Sequence, residues 1–246
     1  MILYEIPWSH YCEKARFCLD YKGLAYRRIA VSPATRREVR RIGARGLVPV
    51  LQDGAQVVEG SDAIAAHLDV RQPEPALVPR DAGARAEVLG WQRRLDEELG
   101  PDARRVGYAV ALEHPRMFLG SFLATRPPKS WLNPVLRPVI VMVLRRRFEI
   151  TPARIAESGA RLRALLGTLR RTLEGRRFLV GDRLTLADIA AVSLMDPLEI
   201  VPEFVREPGW APVFEWKRAI GRAHRRPMRA PWIGGAAPDG RLVEAT

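Results

Sequence analysis

A hydroxyl and a thiol stand three residues apart where an apolar strand gives way to a helix, in Ile2-Leu3-Tyr4-Glu5-Ile6-Pro7-Trp8-Ser9-His10-Tyr11-Cys12. The strand ends at Pro7, and Ser9 is suited to cap the helix that follows. The first N–H groups of a helix have no partner inside it, so its mouth stabilises an anion, and a thiolate is an anion. Ser9 would keep its proton and donate a hydrogen bond to a sulfur anion. Cys12, one turn on, is the rival source of chemistry. A cysteine-type thiol has a pKa of about 8.5 and is only a few per cent ionised at neutral pH. Lowering that by two units takes about 2.7 kcal/mol. The plain alternatives are that Ser9 only caps the helix and that Cys12 is a packed, inert thiol. His10 is expected to face solvent in the first turn, and Cys18 falls with Tyr11, Ala15 and Leu19 on an apolar core face.

Three other short stretches have spacing with physical content. Pro49 follows Val48 and opens a strand, where an edge position needs no donor. Ser61, in Gly60-Ser61-Asp62-Ala63-Ile64, is expected to cap a helix and to point its hydroxyl and that helix's N–H groups at an anion. Thr185 and Asp188 form Thr-x-x-Asp, a reciprocal capping box worth about 1 kcal/mol, with Leu184 and Ile189 as its hydrophobic staple. That pair is read as structural.

The elements that must hold these residues follow from pattern. Residues 2–6 and 26–31 read as strands, with a helix over 11–22 between them and a basic helix over 35–42 after them. Residues 48–52 and 56–58 read as a hairpin around Asp53-Gly54, followed by the helix from Ser61 to Asp69. The order β-α-β-α-β-β-α predicts a small α/β domain over 1–75. Pro73, Pro75 and Pro79 mark a linker. Beyond it, from 82 to 246, only helices are expected, over 82–99, 152–173, 185–195 and 210–223. Prolines 127, 128, 134 and 138 interrupt 126–148, which is expected to be a helix-rich connection. An insertion over a pocket, a dimer contact and a basic apolar membrane surface are its alternatives.

Composition bounds the partners. The chain has 246 residues, is 47% hydrophobic and carries net charge +12. Of its forty basic residues only Lys14, Lys22, Lys129 and Lys217 are lysines, so thirty-six are arginines. The arginines are scattered, without interleaved aromatics, so no nucleic-acid partner is expected. The excess reads as the codon signature of a genome rich in G and C. On one helix Cys12 and Cys18 lie roughly 9 Å apart, too far for a disulfide, so free thiols and a cytoplasmic location are expected. Met1-Ile2-Leu3 leads straight into a strand, so no secretory leader is expected, and no apolar run approaches a bilayer span.

Four of these pieces, in this order and at these separations, resemble the cytosolic glutathione S-transferase family. They are Ser9 with Glu13-Lys14-Ala15-Arg16, Gly46-Leu47-Val48-Pro49-Val50-Leu51, Gly60-Ser61-Asp62-Ala63-Ile64, and Leu184-Thr185-Leu186-Ala187-Asp188-Ile189. The resemblance implies a thioredoxin-like domain followed by an all-α helical-bundle domain. It also implies Ser9 at the catalytic position, a cis Pro49, and a homodimer. Glutathione would be a co-substrate held by Ser9, Val48, Pro49, Glu59, Gly60 and Ser61, with no metal. The second substrate would be a small apolar electrophile, near Tyr108, Met117, Phe118 and Trp131. Two positions depart from the family pattern. Gly60 stands where a Glu or Gln meets the glutathione amine, with Glu59 and Asp62 as neighbours that can substitute. Leu47 stands where a Lys is common, with Arg37, Arg41 or Arg45 as replacements. A non-catalytic binding protein of the same fold, or a peripheral membrane protein using 126–148, are the alternatives these departures keep open.

Overall fold

The structure is a computed structural model that describes residues 1–31, 36–114 and 132–224, with side chains from 138 onward in the last stretch. It divides into two compact units, the first ending at Ala76 and the second beginning at Leu77.

The first unit is a four-stranded mixed sheet. Strand β1 (Ile2–Glu5) is followed by helix α1 (His10–Tyr21), β2 (Arg27–Ala30), the single turn α2 (Arg37–Arg40), β3 (Val50–Asp53), β4 (Gln56–Glu59) and α3 (Ser61–Arg71). The expected β-α-β-α-β-β-α order is observed, although the basic helix predicted over 35–42 is only one turn long. Strand order is β2-β1-β3-β4. β1 runs parallel to β2, and β3 is antiparallel to both β1 and β4. Tyr4 pairs with Val50, and Val50 with Glu59. The exit of β1, the entry to β3 and the exit of β4 therefore meet at one end of the sheet.

Alternation along β1 assigns its faces. Tyr4 and Ile6 join Val31, Val39, Ala44 and Val50 in a buried cluster, with Trp8 and Val48 packed on its margin. Leu3 and Glu5, both buried, point the other way, toward α1. At the far end of α3, the buried Lys22 ammonium donates to the Gln72 carbonyl at 2.6 Å and pairs with Asp69 at 2.7 Å, pinning the chain as it leaves the unit.

The second unit, in its described residues, is all helical, as its pattern predicted. Helix α4 (Ala82–Arg94) runs through a π-turn (Leu95–Leu99) into α5 (Gly100–Glu113). The sequence pattern predicted a helix over 82–99 only. The backbone instead stays helical through both residues, and the π-turn lies immediately before the proline, where the missing N–H and the ring must be accommodated. Helix α6 (Leu132–Arg147) likewise runs through Pro134 and through Pro138, which stands on its exposed side, so these two prolines do not break it as expected, while Pro127 and Pro128 lie outside the described residues. Helix α7 (Pro152–Thr172) opens with Thr151 accepting the Arg154 N–H. It is locked to α5 by Asp102, which accepts from Arg161 at 2.7 Å, Ser158 at 2.8 Å and Arg105 at 2.9 Å. Helix α8 (Leu186–Leu194) is buried along its whole length. Three short elements follow, a 3-10 turn (Asp196–Ile200), α9 (Pro202–Val205) and a second 3-10 turn (Pro208–Trp210), before the last described helix, α10 (Ala211–His224). Gly107 of α5 meets the turn after α8 so closely that a Cβ would lie 2.6 Å from the Pro197 carbonyl oxygen.

Candidate active site

The turn that carries Ser9 is built from its own backbone. The Ser9 N–H donates to the Ile6 carbonyl at 2.9 Å, with Pro7 supplying the fixed φ that such a turn favours. Ser9 itself is extended (φ −75°, ψ 119°) and its carbonyl accepts the Glu13 N–H at 2.9 Å, which makes it the N-cap of α1 by position. Its side chain makes no capping bond. The hydroxyl, half-buried, lies within hydrogen-bond reach of the Cys12 thiol. The Ser9 side chain thus takes no part in capping α1.

The charged run after Ser9 braces the turn from below. Arg16 Nη2 donates to the Pro7 carbonyl at 3.0 Å, and its Nε to Glu13 at 2.9 Å. Arg16 also pairs with Glu5, whose other oxygen accepts from Arg28 Nε at 2.6 Å. Two carboxylates and two guanidinium groups balance one another in a site that is almost entirely closed to solvent. Burial alone would lower the Arg16 guanidinium, and Glu13 and Glu5 more than reverse that. Glu5 and Arg28 are the residues sequence reasoning passed over. Their signal was an acid alone in an apolar strand and a base on the neighbouring parallel strand.

Cys12 has no exposed surface, and burial pushes its thiol up to about 12, with Glu5 adding to the effect and Arg16 opposing it. A thiol so placed is protonated at neutral pH. Its assignment beside Ser9 as a catalytic residue is therefore corrected: it is a packed side chain under the turn. His10, expected to face solvent, is 2% exposed, with its ring centroid 4.6 Å from that of Tyr11.

The other two segments reach the same end of the sheet. The Val48–Pro49 peptide is cis, Val48 is half-buried against the Tyr4 cluster, and the Pro49 carbonyl accepts the Gly60 N–H at 2.9 Å. Gly60, not Ser61, is the N-cap of α3. Its φ of +94° suits glycine, and a Cβ there would also stand 2.9 Å from Asp62 Oδ1. Ser61 is instead the first helical residue, and it is buried. The first intrahelical bond runs from Ile64 N–H to the Gly60 carbonyl, so the N–H groups of Ser61, Asp62 and Ala63 have no partner within the helix. Such a mouth attracts a carboxylate.

Glu59 is engaged elsewhere. Both its oxygens lie 3.1 Å from the Arg45 N–H, and the Arg45 side chain approaches to 3.6 Å. Leu47 is 63% exposed, and Arg37, Arg41 and Arg45 are also exposed. Arg36 is turned inward, donating to the Gly46 carbonyl at 2.6 Å.

The other predicted residues lie in the second unit or outside the description. Thr185, the N-cap of α8, donates through both its N–H and its hydroxyl to Asp188, at 2.9 and 3.0 Å. Asp188 also accepts the Leu179 N–H at 2.8 Å. Tyr108 is half-buried and meets the Phe148 ring edge-on at 5.3 Å. Met117, Phe118 and Trp131 fall outside the described residues.

Comparison with known proteins agrees with the fold. The profile of the glutathione S-transferase N-terminal domain matches residues 3–76, and that of the C-terminal domain matches 132–219. The glutathione S-transferase TCHQD of Arabidopsis thaliana is 24% identical over 214 residues, spanning 82% of this chain and 78% of that protein. A maleylpyruvate isomerase from Ralstonia sp is 32% identical over 125 residues, 49% of this chain and 57% of the relative. Among solved structures, a glutathione S-transferase of Methylobacterium radiotolerans in complex with glutathione sulfonate aligns with a TM-score of 0.64 at 21% identity, covering 98% of this chain and 99% of the other. One from Methylobacillus flagellatus with glutathione bound aligns with a TM-score of 0.62 at 21% identity, over 90% and 94%. The two domain profiles, in order along a sheet-then-helices architecture, establish that the chain belongs to the glutathione S-transferase family.

Proposed function

We propose that the chain is a glutathione transferase. Residues 1–75 bind glutathione and residues 82–246 select a small apolar electrophile, in a cytoplasmic homodimer. The observation that carries the reading is the Ser9 hydroxyl, at an N-cap position yet free of capping duty, at the sheet end that also holds Pro49 and the mouth of α3. Ser9 donates a hydrogen bond to the glutathione sulfur, and the partial positive charge of the α1 mouth favours its thiolate. The thiol proton passes to solvent. A sulfur lone pair then forms the new C–S bond, and the leaving group departs with the electrons of the bond it breaks. The Val48 backbone beside Pro49 orients the tripeptide, and Ser61 with its neighbouring N–H groups receives the γ-glutamyl carboxylate. Calorimetry with millimolar glutathione, followed by conjugation to an aryl halide, tests this. Binding, with turnover lowered at least tenfold by Ser9→Ala, is the expected result. Absence of heat overturns it.

A second reading has an observation of its own. Gly60 brings no side chain to the ligand amine, and Glu59 is already engaged by Arg45. A binding protein of the same fold, without turnover, follows if glutathione is retained on a column but never conjugated.

A further inference from the structure

Helix α6 turns the usual amphipathic arrangement outward. Of its residues from 138 to 147, Pro138, Val139, Met142, Val143, Arg146 and Arg147 are exposed, and Ile140, Val141, Leu144 and Arg145 are half-buried. At 3.6 residues per turn the six exposed positions occupy one half of the helix circumference. Val139, Met142 and Val143 are 54%, 46% and 53% exposed, at the i, i+3, i+4 spacing that normally faces a core. One turn later the same face carries arginines.

The helix is held at its C-terminal end. Arg145 lies 3.9 Å from Glu113, and Arg105 Nε donates to the Phe148 carbonyl at 3.1 Å. The guanidinium groups of Arg104 and Arg147 stand 4.7 and 5.7 Å from the centroid of the Phe148 ring. The outward face is thus presented by an anchored element.

Charge identifies the occupant. Residues 138 to 147 carry three arginines, Arg145, Arg146 and Arg147, and no acid. A second copy on this face would offer its arginines no acid of 132–147 to pair with. A polynucleotide would satisfy the arginines and leave three apolar side chains against phosphate. An anionic bilayer surface accommodates both, with the apolar residues at the headgroup–acyl boundary and the arginines on phosphates. Among the described residues no helix is long and apolar enough to cross a membrane, so the contact is peripheral.

We propose that the outward face of α6, through Val139, Met142, Val143, Arg146 and Arg147, docks the protein on anionic lipid bilayers. The contact is independent of glutathione.

The test is sedimentation of the full chain with vesicles of phosphatidylcholine alone, or with one third phosphatidylglycerol. Binding only to the anionic vesicles is expected. R146Q/R147Q weakens it about thirtyfold, and V139E/M142E weakens it at least tenfold. R37Q/R41Q, exposed arginines of the first unit, changes it less than twofold. Cys12 and Cys18 are buried, so Met142→Cys offers one accessible thiol in this face for an environment-sensitive dye. Its emission shifts to the blue on anionic vesicles. This readout also holds if either double variant fails to fold. No binding, or binding with an unshifted dye, overturns the proposal. So does vesicle binding by a folded V139E/M142E at wild-type strength, which would mark a diffuse response to net charge. Self-association lost in V139E/M142E without vesicle binding would assign the face to a second copy. Duplex DNA bound more tightly than vesicles, and still bound by V139E/M142E, would assign the arginines to a polynucleotide.

Discussion

Ser9 and Thr185 hold the same position, N-cap, on helices of the two units, and they do opposite things there. Thr185 is enclosed, its N–H and hydroxyl both spent on Asp188. Ser9 keeps N-cap backbone geometry and leaves its hydroxyl out of the cap, half-buried. Asp81 and Thr151 cap with their side chains, which accept the Ala84 and Arg154 N–H groups. At Ser9 a side chain competent to cap stands at a cap and does not cap. The difference lies in what surrounds each. Asp188 brings a reciprocal acceptor to Thr185. At α1 the corresponding brace is Arg16, which reaches past Ser9 to the Pro7 carbonyl and fixes the backbone without using the hydroxyl.

This contrast predicts a separation of stability from activity. Asp188→Ala leaves the buried Leu179 and Thr185 N–H groups without their acceptor, at about 1–3 kcal/mol each. The urea midpoint should fall by the equivalent of about 3 kcal/mol at unchanged m-value, and a loss below 1 kcal/mol would break the comparison. Gly60→Ala forces a side chain into a backbone conformation that only glycine adopts readily, at about 2 kcal/mol. It should lower both the thermal midpoint and glutathione affinity, whereas an affinity unchanged by the strain would detach α3 from the site. Ser9→Ala should leave the thermal midpoint within about 1 °C and lower turnover at least tenfold, about 1.4 kcal/mol in the barrier. A destabilised but fully active Ser9→Ala would make Ser9 a cap after all.

The smallest effect is one of pH. Burial raises the Asp102 carboxyl, but Arg161, Ser158 and Arg105 outweigh it and hold the group below its ordinary value. A depressed folded-state pKa means stability that is full above the unfolded pKa, about 3.9, and is lost as pH falls through the folded value. The stability gap between wild type and Asp102→Asn should therefore narrow below about pH 4. Asp188 has the opposite sign. Burial raises its carboxyl despite the Leu179 and Thr185 hydrogen bonds, so its ionisation costs stability as pH rises above the unfolded value, a window that lies above that of Asp102. Equilibrium unfolding of Asp102→Asn and wild type across pH 3–6 checks the sign, and a widening gap on acidification would contradict it.

Legibility in the sequence tracked how local each signal was. The Thr-x-x-Asp box, the Asp53-Gly54 turn and the apolar run of β1 depend on neighbours a few residues away, and the structure has the corresponding elements. The helix end expected at 99 and the prolines of α6 differ from the structure for one reason. Packing repays a lost hydrogen bond that local propensity counts as decisive. Ser61 was taken for a cap because serine favours that role, but the cap position here demands a positive φ, which falls to Gly60.

The residues from Ile2 to Arg16 and from Gly46 to Ile64 determined by themselves which groups would be available: a hydroxyl at a helix mouth, a second helix mouth, and a proline between them. Tertiary structure decided which of those groups are free to act. It enclosed Cys12, turned Glu59 onto Arg45, and let Arg16 carry the turn so that Ser9 need not. Desolvation and hydrogen-bond allocation depend on what arrives from distant strands and helices, and no local window of residues contains that information.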